Sequence, residues 1–203
     1  MRRARSAALA LAACFLPAAA APATATIYLS ASGGALHLSG EFENGDEARL
    51  AEYLAARRER PIRVVYLDSF GGQIGAGIKL GRLIRKAGLA TAVDARNARC
   101  DSACTLIFAG GVRRHYVNAG AVFEGYSSRG GLGYHPAHWR DGSWTQAGFS
   151  ESGTAMMERF YREMGQPGAV GLMRRAGFTS IFRPSGETAM RLGIATSLAP
   201  PAD

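Results

Sequence analysis

Cysteine, lysine and long apolar runs are all scarce in this chain of 203 residues. There are 3 cysteines, and the only lysines are Lys79 and Lys86. No basic run reaches five residues, no Gly-Lys-Ser/Thr follows a glycine turn, and no internal repeat is visible. These absences exclude a phosphate loop and a solenoid, and they disfavour a polyanion-binding stripe. The remaining composition is that of a globular protein, 47% hydrophobic and 20% charged. It excludes a disordered tail, a collagen-like repeat and a polytopic membrane protein.

The first acidic residue is Glu41, and the stretch before it is built for export. Arg2, Arg3 and Arg5 form a basic start and Ala7 to Leu16 a short apolar segment. Ala23-Thr24-Ala25 then has the small-x-small form that precedes cleavage. Pro17 interrupts the run, which is too short for a membrane span. Residues 1–25 therefore read as a signal peptide. Leu11-Ala12-Ala13-Cys14 offers a second route, a lipoprotein signal over 1–13 with Cys14 lipidated. The expected home is the periplasm or the exterior, with a membrane anchor only in the second case. Three of the chain's 24 basic residues fall in this signal, so the net charge drops from +8 for the whole chain to +5 without it. The rest scatter as pairs such as Arg57-Arg58 and Arg113-Arg114, so no nucleic-acid partner is expected.

Cys100 and Cys104 stand four apart. In an oxidising compartment such a pair favours a disulfide. Two buried thiols or a metal pair are the alternatives, the latter poor for want of a second cysteine pair.

Hydrophobic periodicity predicts an α/β domain over 26–197 with a short tail, 198–203. Ile27–Leu29 and Ala35–Leu38 form a hairpin around Gly33-Gly34, and Asp46 caps a helix carrying Leu50, Tyr53 and Leu54 that ends near Arg57, Arg58 and Arg60. Ile62 to Leu67 reads as a strand buried on both faces, hence parallel, broken by Gly71-Gly72. A helix follows from Gln73 to Ala87, then a strand over Leu89–Val93 and an apolar helix over Ala103–Ala109. Further strands are expected at Val117 and at Ala121–Phe123, a long loop over 127–148, a Ser150-capped helix with a Met-aromatic stripe, two short helices, and a last strand near Ile194.

Three segments carry candidate chemistry. Leu67-Asp68-Ser69-Phe70-Gly71-Gly72 opens a buried strand into a double-glycine turn, where backbone N–H groups lie unshielded before a helix. Ser102, in Cys100-Asp101-Ser102-Ala103-Cys104, falls where a loop enters a helix; on spacing alone it reads as an N-cap. A hydroxyl there also lies in the positive field of the helix start, which favours an alkoxide or oxyanion. The third is Gly133-Tyr134-His135-Pro136, whose histidine could serve Ser102 as base.

Taken in this order, the segments resemble the Clp protease proteolytic subunit and its exported relatives in the ClpP/crotonase superfamily. The likeness is close over 27–126 and looser over 150–196. Ser69-Phe70-Gly71-Gly72 matches the family's Ser-Pro-Gly-Gly turn, and Ser102 to Gly110 matches its helix of small and aliphatic residues. Cys100 and Cys104 match the cysteines that flank the serine in exported members. Ser185 to Thr196 is similar to the family's closing stretch. The resemblance implies a single α/β domain, a spiral of ββα units around a mostly parallel sheet. It makes Ser102 the nucleophile, gives the oxyanion to the N–H groups of Gly72 and Ala103, and leaves Gly71 to support the turn. Ungapped matching sets the histidine near Tyr126, where none occurs; an insertion brings His135 to that position.

The triad aspartate has no counterpart in Arg174 to Ser180, and Asp141 is the only nearby carboxylate in the loop. The expectation is an exported serine hydrolase of peptidase type with an incomplete triad, needing no cofactor or metal. Its partners would be a peptide or protein substrate and other copies of itself. A non-catalytic peptide-binding or assembly module is the main alternative. An acyl-thioester enzyme is disfavoured by export, and two further options are a Ser–Lys dyad using Lys79 or Lys86 and a metal set of His135, His138 and Asp141.

Overall fold

The computed structural model describes residues 27–126, 129–140, 147–177 and 179–202. The signal over 1–25, Cys14 and Asp141 lie outside the described residues. Among those described, no helix is long and apolar enough to cross a membrane.

β1 (Ile27–Ser32) and β2 (Ala35–Phe42) form the antiparallel hairpin around Gly33-Gly34. α1 (Asp46–Ala55) is capped by Gly45 rather than Asp46. Asp46 is instead the first helical residue, and its carboxylate reaches back to accept the Glu43 N–H at 2.8 Å. The helix stops short of Arg57, Arg58 and Arg60, none of which lies in its last turn. β3 (Val64–Gly72) does not end at the double glycine but runs through it, because Gly71 and Gly72 stay in register with Glu41 and Phe42 of β2 beyond a bulge. α2 (Ile74–Lys86), β4 (Ala90–Asp94), β5 (Arg99–Asp101), α3 (Ala103–Gly110) and β6 (Arg114–Val117) come next.

Ala119–Ala121 is a 3-10 turn, and no strand forms at Ala121–Phe123, where Phe123 stands 82% exposed with no sheet to cover it. β7 (Gly125–Tyr126) precedes β8 (Gly131–Gly133), β9 (His138–Arg140) and β10 (Ala147–Phe149), so the expected long loop contains strands. α4 (Glu151–Glu163) buries Met157, Phe160 and Tyr161, while Met156 faces out. α5 (Pro167–Arg175), β11 (Phe182–Arg183) and α6 (Gly186–Arg191) complete the domain. No strand forms at Ile194, which is buried after α6; the sheet contact there is a bridge from Ser197 to His115 of β6.

The main sheet runs β1-β2-β3-β4-β6, parallel at every junction except the hairpin. β3 forks. Its first half, Val64–Tyr66, pairs with β4, and its second half turns at Ser69 to pair with Cys100 of β5. β5 pairs in parallel with β8. The crevice between diverging strands at the carboxyl end of a parallel sheet is where such folds place their sites.

α3 is buried along its whole length and packs on α2 almost backbone to backbone. A Cβ at Gly77 would lie 2.6 Å from Ala103 O, and one at Gly81 2.7 Å from Leu106 O. Arg85 closes the far end, donating to Gly110 O at 2.8 Å and Ala109 O at 3.0 Å, so its charge complements the C-terminus of α3 as well as its own helix.

Candidate active site at the start of the central helix

Ser102 joins β5 to α3. Its backbone sits at φ 55°, ψ −124°, and its side chain makes no capping hydrogen bond, so the N-cap reading does not hold. A positive φ is uncommon at a residue with a Cβ. Such a conformation costs about 1–3 kcal/mol and persists only where the surroundings impose it. Three constraints do so here. The Cys100–Cys104 disulfide spans the turn with Cα atoms 5.0 Å apart. The Ser102 N–H donates to Gly133 O at 3.0 Å. Gly71 presses from β3, where a Cβ would stand 2.8 Å from both Asp101 O and Ser102 Cβ and 3.1 Å from Ala103 N.

Hydrogen bonds anchor the double glycine on either side. Gly71 N–H donates to Ser69 Oγ at 2.9 Å, and Ser69 is itself anchored to Gly40 O in the β2 bulge. Gln73 N–H donates to Phe42 O at 2.7 Å. Gly72 cannot be replaced without disruption: it has φ 140°, and a Cβ would meet Phe42 O at 2.3 Å and Phe42 N at 2.4 Å.

β8 brings the histidine segment to Ser102. Asp101 pairs with Gly133, and Tyr134 exchanges two hydrogen bonds with Phe182 of β11, at 2.8 and 2.9 Å. His135 thus lies two residues, at most about 7 Å of chain, beyond the carbonyl that receives the Ser102 N–H. It is buried, with Nδ1 2.8 Å from Pro136 O. A carbonyl only accepts, so Nδ1 carries the proton and the neutral ring keeps its lone pair on Nε2. Burial holds His135 below the usual imidazole range, opposed by the Pro136 bond; the His138 ring, 5.4 Å away, lowers it further and Asp101 raises it. Among the described residues no hydrogen bond joins Ser102 Oγ to His135.

The other options separate. Lys79 is exposed and pairs with Glu47 at 3.0 Å. Arg174 and Arg175, in the stretch that lacks the aspartate, pair outward with Glu158 and Glu124. His135 and His138 are neighbours, but no group of three metal-ligating side chains occurs among the described residues. Two surface concavities lie elsewhere, one lined by Ala119, Ser185, Met190 and Leu198, the other by Ile27, Tyr28, Arg49 and Tyr53. Sequence reasoning missed Arg183, which forms a buried ion pair with Asp101 at 2.7 Å; the two residues are 82 apart and no local pattern links them.

No protein-family model matches the chain, and no curated protein does. Solved structures match in fold. A serine-to-alanine mutant of the 1510-N membrane-bound stomatin-specific protease aligns at TM-score 0.58 and 13% identity, over 81% of this chain and 77% of that one. A lysine-to-alanine mutant of the same protease, in complex with a substrate peptide, aligns at 0.56 and 14%, over 81% and 73%. ClpP1 of Listeria monocytogenes, as an asparagine-to-aspartate mutant, aligns at 0.55 and 16%, over 84% and 94%. This chain is a single α/β domain with the ClpP/crotonase fold. Fold of this breadth carries many chemistries, and activity has to be argued from the site.

Proposed function

We propose that this chain is an exported ClpP-like serine hydrolase of peptidase type with an incomplete triad. Ser102 attacks the acyl carbon, His135 Nε2 takes the Oγ proton and returns it to the leaving group, and the Gly72 and Ala103 N–H groups receive the oxyanion. The observation that carries this reading is the uncapped, left-handed Ser102 at the start of α3, packed against the double glycine. Three things support it further: the Nδ1–H bond to Pro136 O, which fixes the productive tautomer without a carboxylate; the burial of His135, which disfavours its charged form; and the fold shared with a membrane-bound stomatin-specific protease and with ClpP1. Loss of a triad carboxylate costs about 10⁴-fold in other serine hydrolases, so slow turnover of a peptide or protein substrate is expected. The disulfide supports export to the periplasm or beyond, by the signal over 1–25 or through a lipidated Cys14.

A fluorophosphonate probe applied to the chain from residue 26 tests this. Ser102 is expected to label, Ser102→Ala to abolish it, and the rate to fall as pH drops through a midpoint below about 6.5, the ordinary imidazole value. Labelling that survives Ser102→Ala, or none at any pH, defeats the hydrolase. The second reading, a peptide-binding module, is favoured by the absence of a Ser102–His135 hydrogen bond among the described residues. It predicts peptide binding that Ser102→Ala leaves unchanged.

A further inference from the structure

The Ser102 turn and the His135 segment are joined by one buried ion pair. Asp101, directly before Ser102, accepts two hydrogen bonds from a single guanidinium, Arg183 Nη1 to Oδ1 at 2.7 Å and Nη2 to Oδ2 at 3.0 Å. The two side chains are 2% and 1% exposed. Arg183 Nη1 also donates to Gly131 O at 3.0 Å, tying β11 to β8. Asp101 lies so close to β8 that a Cβ at Gly133 would stand 2.2 Å from Oδ1; only glycine admits the carboxylate there. Phe182, next to Arg183, holds Tyr134, next to His135. One short strand therefore grips both halves of the site.

Stability does not explain this arrangement, because removing two charges from water largely cancels their attraction, and apolar replacements often fold as well. We propose that Asp101, held by Arg183, is the positioning carboxylate of the site: it locks the Ser102 turn to the segment that carries His135. Its effect on His135 runs against that of burial, the direction that favours the imidazolium formed when His135 takes the Ser102 proton. The groups that bear on His135 are Asp101 from β5, with Arg183 of β11 behind it, and His138 from its own segment. The inference rests on the Ser102–His135 reading, but its charge component is measurable without turnover.

Asp101→Asn alone strands a buried guanidinium and is expected to unfold the chain readily. Asp101→Asn with Arg183→Gln replaces the ion pair by a neutral polar pair and is the variant to measure, alongside Arg183→Lys, which keeps the charge and loses the fork. His135 is followed by ring-proton NMR, assigned with His135→Phe, and Ser102 by fluorophosphonate labelling. In the folded double variant the His135 midpoint is expected to fall and labelling to drop by about tenfold or more. Arg183→Lys should keep the midpoint and slow labelling several-fold. A folded double variant that titrates or labels like its parent overturns the proposal, as does an Arg183→Lys that labels at the parental rate. A parent that never labels defeats the hydrolase reading instead, and a midpoint shift in that case leaves Asp101 as a charge effect on His135 alone.

Discussion

Ser102, Ser150 and Ser185 each stand directly before a helix, and their backbones divide them. Ser150 is extended at φ −110°, ψ 102°, and its hydroxyl accepts the Gly153 N–H at 3.2 Å. Ser185, at φ −64°, ψ 164°, accepts the Thr188 N–H at 3.2 Å. Both satisfy a helix donor that would otherwise lack a partner, the ordinary use of serine at this position. Ser102 has left-handed φ, no capping bond, a disulfide across its turn and a glycine pressed on its Cβ. The same residue type in the same sequence context thus serves two ends, and backbone conformation tells them apart. Ser150 and Ser185 stabilise their helices, whereas the surroundings of Ser102 hold its hydroxyl away from that role.

The comparison breaks most sharply at the glycine turn. Gly72→Ala combines an unfavourable φ with a collision against the Phe42 backbone, and a loss of about 3–5 kcal/mol is expected. Urea denaturation reads it. An alanine accepted at less than about 1 kcal/mol would mean that β2 and β3 part easily, and that the turn does not hold Ser102. Next in size is Cys100→Ser with Cys104→Ser. Closing so short a loop is worth about 2 kcal/mol by chain entropy, with labelling of Ser102 expected to be lost well before the fold. Both effects should leave the Ser150 cap intact. Parental labelling in the thiol-free variant would show that Gly71 and Gly133 suffice to hold the turn.

Much of the arrangement was legible in sequence. The hairpin, the buried β3, the double glycine, the helix over Ala103–Gly110 and the cysteine pair all announce themselves by local pattern, and the resemblance built on them led to the right fold. What stayed hidden depends on partners distant in sequence. β5, β8 and β11 have 3, 3 and 2 residues, and Gly131-Leu132-Gly133 has no strand propensity of its own; it is a strand because β5 lies beside it. The Asp101–Arg183 pair crosses 82 residues. Ala121-Val122-Phe123 erred the other way, since apolar composition suggested a strand where nothing covers Phe123. Spacing placed Ser102 before a helix correctly but could not report φ, and so suggested a cap.

The smallest expected effects sharpen that last point most, because they differ in sign. Ser150→Ala and Ser185→Ala each remove an acceptor from a helix N–H, and each should cost about 1 kcal/mol. Ser102→Gly removes no cap, and glycine adopts a left-handed φ without penalty, so the strain at this turn is relieved. Glycine's extra freedom in the unfolded chain offsets part of that relief, leaving an expected gain of up to about 1 kcal/mol. Thermal unfolding of the three variants under one buffer compares them directly. A gain at position 102, together with loss of labelling, is what a residue held in strain for use should give, since function there is kept at the expense of stability. A loss of the size seen at Ser150 would instead return Ser102 to the caps and remove the observation on which the hydrolase reading stands.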